Sequence, residues 1–139
     1  MSSFTPVVPA GMEAVYDQWH IAPAVVVGEM VFCSGVLGTD HTGTVPNDLA
    51  DQFAAAFDSL AHILRAAGTD LEHVVEMVTF HTDLEADLHT FTKVRERYLH
   101  APWPAWTAVG AAQIGGGVPG ARVEIKATAV LPSGRPESS

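Results

Sequence analysis

One carboxylate stands out among the residues that could do chemistry. Val123, Ile125, Ala127, Ala129 and Leu131 alternate with Arg122, Glu124, Lys126 and Thr128. That period of two is a strand over 121–131 with one buried face, and it places Glu124 on the polar face between two cations. If that face is open to water, Glu124 only joins cross-strand ion pairs, which contribute little. Inside a cleft it could act as a general base on water. The alternation alone leaves both readings open.

The other chemically capable side chains are less organised. Of the seven histidines, none forms an HExxH motif or an i, i+4 pair, so no metal site is expected. His62 and His89 fall on helical stretches and read as solvated. His20 and His81 flank apolar strands, where a titrating imidazole is useful, and they are the histidine candidates for a cleft. Ser34-Gly35 has no GxSxG elbow around it. The serine therefore reads as a strand end rather than a nucleophile, with backbone amides that could still donate to a ligand. Cys33, the only cysteine, lies in an apolar run and reads as inert core. Trp103 and Trp106 bracket Pro104, a spacing that fits core packing and a binding surface equally well. Gly115-Gly116-Gly117 matches no phosphate-binding loop and reads as a flexible turn.

The elements that must position these groups follow from pattern. The 139 residues are 47% hydrophobic and 17% charged, enough to bury a core. A single domain is expected over 1–131, with a polar, breaker-rich tail over 132–139. Two apolar runs, Ala24-Val25-Val26-Val27 and Met30-Val31-Phe32-Cys33-Ser34, form a hairpin about Gly28-Glu29. Residues 35–45 read as a loop. Asn47 then serves as N-cap of a helix whose stripe is Leu49, Phe53, Ala56, Phe57, Leu60, Leu64 and Ala67, stopped by Gly68. Val74 to His81 is a strand buried on both faces. A second helix runs over 85–98 with Leu84, Leu88, Phe91, Val94 and Tyr98 on one side. Residues 105–113 are a further strand. The first twenty residues read as irregular, apart from a short strand near Val7 and Val8. The result is an α/β two-layer sandwich, with two helices on one face of a mixed sheet. The uncovered face calls for a partner, and self-association is the simplest one.

Composition also excludes some functions. The formal net charge of −9 repels polyphosphate and anionic membranes, so neither nucleic acid nor membrane is expected as a partner. A lone cysteine suits a reducing compartment. With no signal-peptide pattern, the expected location is cytoplasmic.

The chain resembles the reactive intermediate deaminase family (Rid, or YjgF-type) from about residue 23 to 131. The resemblance is carried by Gly28-Glu29-Met30-Val31-Phe32-Cys33-Ser34-Gly35, Asp51-Gln52, Ala55-Ala56-Phe57, Ala66-Ala67-Gly68 and Val74-Val75. It continues through Phe80-His81-Thr82-Asp83-Leu84, Tyr98, Pro104-Ala105-Trp106-Thr107 and Val123-Glu124-Ile125-Lys126-Ala127. It implies a chorismate mutase-like fold, a homotrimer with clefts between subunits, and hydrolysis of enamines or imines without cofactor or metal. In the family, an arginine in a Pro-Ala-Arg-Ser/Thr motif grips the substrate carboxylate and a glutamate handles the attacking water. Residue by residue, Glu124 matches that glutamate, and Ser34 and Gly35 match the backbone groups of the strand end. Ile21 takes the place of a cleft tyrosine, and Trp106, followed by Thr107, takes the place of the arginine. Tryptophan cannot form a bidentate carboxylate clamp. The implied ligand is thus a small molecule other than a simple 2-imino acid, in a cleft lined by Trp106, Thr107, Ser34, Gly35, Ile21, His20 and His81. The alternative is a non-catalytic ligand-binding or regulatory protein on the same scaffold. Ribonuclease activity, known in some relatives, fits poorly with the acidic charge.

Overall fold

Alternation in the last strand builds the centre of the molecule. In the computed structural model, which describes residues 3–132, Val123, Ile125, Ala127 and Ala129 are at most 1% exposed. They line one face of β7 (Val123–Val130). Before it in the chain come β1 (Thr5–Val7), α1 (Glu13–Trp19), β2 (Ala24–Val27), β3 (Met30–Cys33), β4 (Val36–Leu37) and α2 (Leu49–Ala67). Then follow β5 (Val74–His81), α3 (Leu84–Tyr98) and β6 (Ala105–Gly110). The sheet order is β1-β2-β3-β7-β5-β6, with the short β4 also on β7. All pairings are antiparallel except β5 with β6.

Helices α2 and α3 pack on one face of this sheet. Phe53, Phe57, Leu60, Ile63 and Leu64 of α2 and Phe91 and Val94 of α3 close over Val31, Met77 and Ile125. Each such side chain contributes about 1.5–3 kcal/mol by leaving water. Phe91 joins the two helices, edge-on to Phe53 at 5.2 Å and stacked on Phe57 at 5.6 Å between ring centroids.

Several boundaries differ from the sequence reading, each for a local reason. Asp48, not Asn47, caps α2, because its carboxylate accepts the Asp51 N–H at 3.0 Å. Gly68 ends that helix in the left-handed conformation, as expected. Helix α1 escapes a periodicity search because it buries no side chain at all. Strand β4 lies inside the span read as a loop, and β6 stops at Gly110. On α3 the inward position is taken by Asp87, which is fully buried, while Leu88 is exposed. The expectation that β5 is buried on both faces is corrected. Met77, Thr79 and His81 lie under the helices, but Val75 and Glu76 are exposed, since no helix among the described residues covers their side. A β-bulge at Val75 lies between the Val74 and Glu76 pairings with β7. Of the tail expected over 132–139, residues 133–139 lie outside the described residues.

Candidate active site

Glu124 stands on the uncovered face of the sheet, opposite Phe80 of β5 and Leu37 of β4. Its Oε1 accepts the Gly115 N–H at 3.0 Å. Its Oε2 has no protein donor among the described residues. The carboxylate lies in a gap between two glycines. A Cβ on residue 35 would overlap Oε2, and one on residue 115 would fall 3.1 Å from it. The turn at Gly115–Gly117, expected only as a flexible connection, is thus a short 3-10 segment whose first amide fixes the carboxylate. Lys126, two residues along the same face, donates instead to the Cys33 carbonyl at 3.0 Å. Glu124 is therefore not consumed in the ion pairs that the plainer sequence reading gave it.

Ser34 lies at the end of β3, next to Gly35. Its hydroxyl donates to the Ala22 carbonyl at 2.7 Å and its N–H to the Pro23 carbonyl at 2.9 Å. The hydroxyl proton is taken up in tying down the approach to β2, consistent with a strand-end role rather than a nucleophile. Burial pushes the Cys33 thiol up to about 11, so it stays protonated and inert.

Trp106 points the other way. It is paired with Met77, on the helix-covered face. Its ring packs 5.7 Å from Phe91, and its Nε1–H donates to Thr79 Oγ1 at 2.9 Å. Within one chain, Trp106 and Glu124 therefore lie on opposite faces of the sheet and share no cleft. Thr107 faces Glu124's side, paired with Val78.

The inward direction of Trp106 is tied to a buried polar chain. An indole N–H can only donate. Thr79 Oγ1 accepts it and keeps its own proton. The Asp87 carboxylate, bonded by Arg122 through one oxygen, can only accept, so His81 Nδ1 carries the ring proton and donates to Asp87 Oδ2 at 3.3 Å. Nε2 of the neutral ring then accepts the Thr79 hydroxyl proton across 2.9 Å. The tautomer follows from this network. Burial is the main cause that pushes the His81 pKa down, with Asp87 opposing it. The expectation that His81 lines a cleft is corrected. Its side chain is fully buried, because residue 81 shares the phase of Met77 and Thr79 and so turns under α3.

His20 and Ile21 remain accessible. His20 ends α1 in the left-handed conformation (φ 59°), a backbone state that favours glycine. Ile21 is 45% exposed and the adjacent Trp19 is 73% exposed. Two cavities open beside the residues leading into β6. One of about 230 Å³ is lined by Tyr98, Leu99, Pro102 and Pro104 among others, and one of about 280 Å³ by His73, Val75, Trp103 and Val130 among others. Glu124 lines neither. Among the described residues, no three His, Cys, Asp or Glu side chains converge as metal ligands.

Sequence reasoning missed three positioning residues. Gln52, 2% exposed on α2, accepts the Arg122 N–H at 2.6 Å and donates to the Gly120 carbonyl at 3.2 Å. It clamps the chain just ahead of Glu124. Asp87 and Thr79 build the chain beneath Trp106. A polar residue at an inward phase was the available signal in each case.

The chain matches the family described as endoribonuclease L-PSP over residues 12–131. It is 34% identical to the RutC family protein YjgH of Escherichia coli (strain K12) over 113 residues, covering 81% of this chain and 86% of that protein. It is 34% identical to the 2-iminobutanoate/2-iminopropanoate deaminase of Bos taurus over 109 residues, 77% of each. A solved structure of protein YJGH superposes with a TM-score of 0.83 at 32% identity, covering 95% of this chain and 99% of that one. These neighbours have the chorismate mutase-like fold, as does this chain. No helix among the described residues is long and apolar enough to cross a membrane. By sequence motif, family match and fold, the chain belongs to the endoribonuclease L-PSP family, which is the YjgF-type reactive intermediate deaminase family that its motifs resemble.

Proposed function

We propose that this protein hydrolyses a small enamine or imine in clefts between the subunits of a homotrimer, with Glu124 as general base. The carrying observation is the Glu124 carboxylate, anchored through Oε1 to Gly115 with Oε2 free beside Gly35. A water held on Oε2 loses a proton to the carboxylate as its oxygen bonds to the C=N carbon, and the π electrons move to nitrogen. Glu124 then returns the proton to nitrogen. Glu124 next takes the carbinolamine hydroxyl proton and passes it to nitrogen as the carbonyl forms, the C–N bond breaks, and ammonia leaves. Every atom comes from imine and water, so no cofactor is required.

Two observations support an intersubunit site. Trp106 and Glu124 face opposite ways, so a cleft holding both must take them from different chains. The uncovered sheet face also presents Phe32 and Val75, 40% and 43% exposed, which a partner would bury. Substituting Glu124→Gln is expected to lower ammonia release from freshly generated imines by about 10²–10⁴-fold with the assembly unchanged. An unchanged rate would remove Glu124 from the mechanism.

A non-catalytic binding role is the second reading. It is favoured by the bond from the Trp106 N–H to Thr79, which leaves the indole no polar group for a ligand. Thermal shift by ketoacid or aromatic ligands without turnover of any imine would support it.

A further inference from the structure

Trp106 brings with it a cation that the motif comparison does not reveal. The Arg95 guanidinium of α3 lies 4.5 Å from the centroid of the Trp106 ring, and 5.7 Å from that of Trp103. Both distances are within cation–π range. Among the described residues Arg95 forms no salt bridge and no side-chain hydrogen bond, and its Nε is buried without a partner. Arg122 differs: its Nε is also unpartnered, but its Nη2 is bound to Asp87. Burial lowers the Arg95 pKa, with the nearby Glu96 carboxylate opposing it but forming no salt bridge with it among the described residues. The guanidinium carbon thus sits over the Trp106 and Trp103 rings, and its donors have no side-chain acceptor among the described residues. Strand β6 is the sheet edge, so backbone groups beside this cluster have no strand partner among the described residues.

We propose that Arg95, held by Trp106 and Trp103, is the carboxylate-binding group of this protein, so that the ligand is an acid with a flat unsaturated portion that lies against the exposed Trp103 indole. A guanidinium matches a carboxylate with two parallel N–H···O bonds. The anion therefore meets a relocated arginine, from a helix, in place of one from the Pro-Ala-Trp-Thr strand. Trp106 becomes the platform for the clamp rather than its replacement. This assignment rests on the proposed cleft only for the reaction that follows. The binding half belongs to a single chain.

The probe is 2-oxobutanoate, a stable ketoacid, followed through the indole Nε1–H resonances of Trp103 and Trp106. Wild-type protein is expected to bind it saturably. Arg95→Met, which keeps the aliphatic stem, should weaken binding by at least about tenfold, and Arg95→Lys by less. Arg97→Met, exposed on the same helix, should bind as wild type. Equal affinity of the wild type and Arg95→Met, or no binding by the wild type, overturns the assignment. Kinetics separate it from the hydrolase reading. Loss of ketoacid binding in Arg95→Met, with no imine turnover by the wild type, leaves the subsite standing and removes the hydrolase. Imine turnover whose KM ignores Arg95→Met does the reverse.

Discussion

Gly35 and Glu124 compete for one space: a methyl group on residue 35 would overlap Glu124 Oε2 and fall 2.8 Å from its Cδ. The obstacle is the end of a side chain, which can swing away, and Gly35 has no left-handed backbone that would resist alanine. Gly35→Ala is therefore expected to fold with little change in Tm. The displaced carboxylate should lose its bond to Gly115, and imine hydrolysis should fall by about tenfold or more. A crystal structure of the variant with Glu124 still on the Gly115 amide, and full activity, would contradict this.

Thr79 is the joint of the chain that directs Trp106, and its side chain is fully buried. Thr79→Val removes the acceptor of the indole N–H and the donor to His81 Nε2 while keeping the shape. Two buried polar groups lose their partner, at about 1–3 kcal/mol each. Urea unfolding should show a loss of about 2–5 kcal/mol for Thr79→Val and under about 1 kcal/mol for Thr79→Ser.

Stability should also depend on His81. Its pKa is depressed in the folded state, mainly by burial. Below about pH 6.5 the unfolded chain takes up a proton that the folded chain resists. The contribution is complete above that pH and lost progressively as the pH falls toward the depressed folded value. Asp87 and Arg122 are the charged groups acting on the ring. Tm should decline from pH 7 to pH 5 more steeply in wild type than in His81→Asn. The His81 ring nitrogens should report the Nδ1–H form at pH 6 by NMR.

Much of this arrangement was legible from periodicity. The strand at Val74–His81 and the helix ended by Gly68 follow from unbroken patterns, and Glu124 follows from strict alternation in β7. The direction of Trp106 does not. In Ala105-Trp106-Thr107-Ala108-Val109 small and apolar residues fall on both phases, so nothing in the strand says which face the indole takes. His81 was readable in principle, because Met77, Thr79 and His81 share a phase, but the surrounding apolar run hid it. Asp87 and Arg95 could not be found from motifs, since their partners, His81 with Arg122 and Trp103 with Trp106, come from other elements.

In the proposed cleft between chains, Glu124 of one subunit would work with Trp106 of another. Co-expression of Glu124→Gln with Trp106→Leu tests this most directly. Every mixed trimer contains one interface where a wild-type Glu124 meets a wild-type Trp106 surface. Ammonia release from a freshly generated imine should therefore reappear in mixed trimers when each homotrimer alone is inactive. Mixed trimers as inactive as both parents would contradict a site shared between subunits.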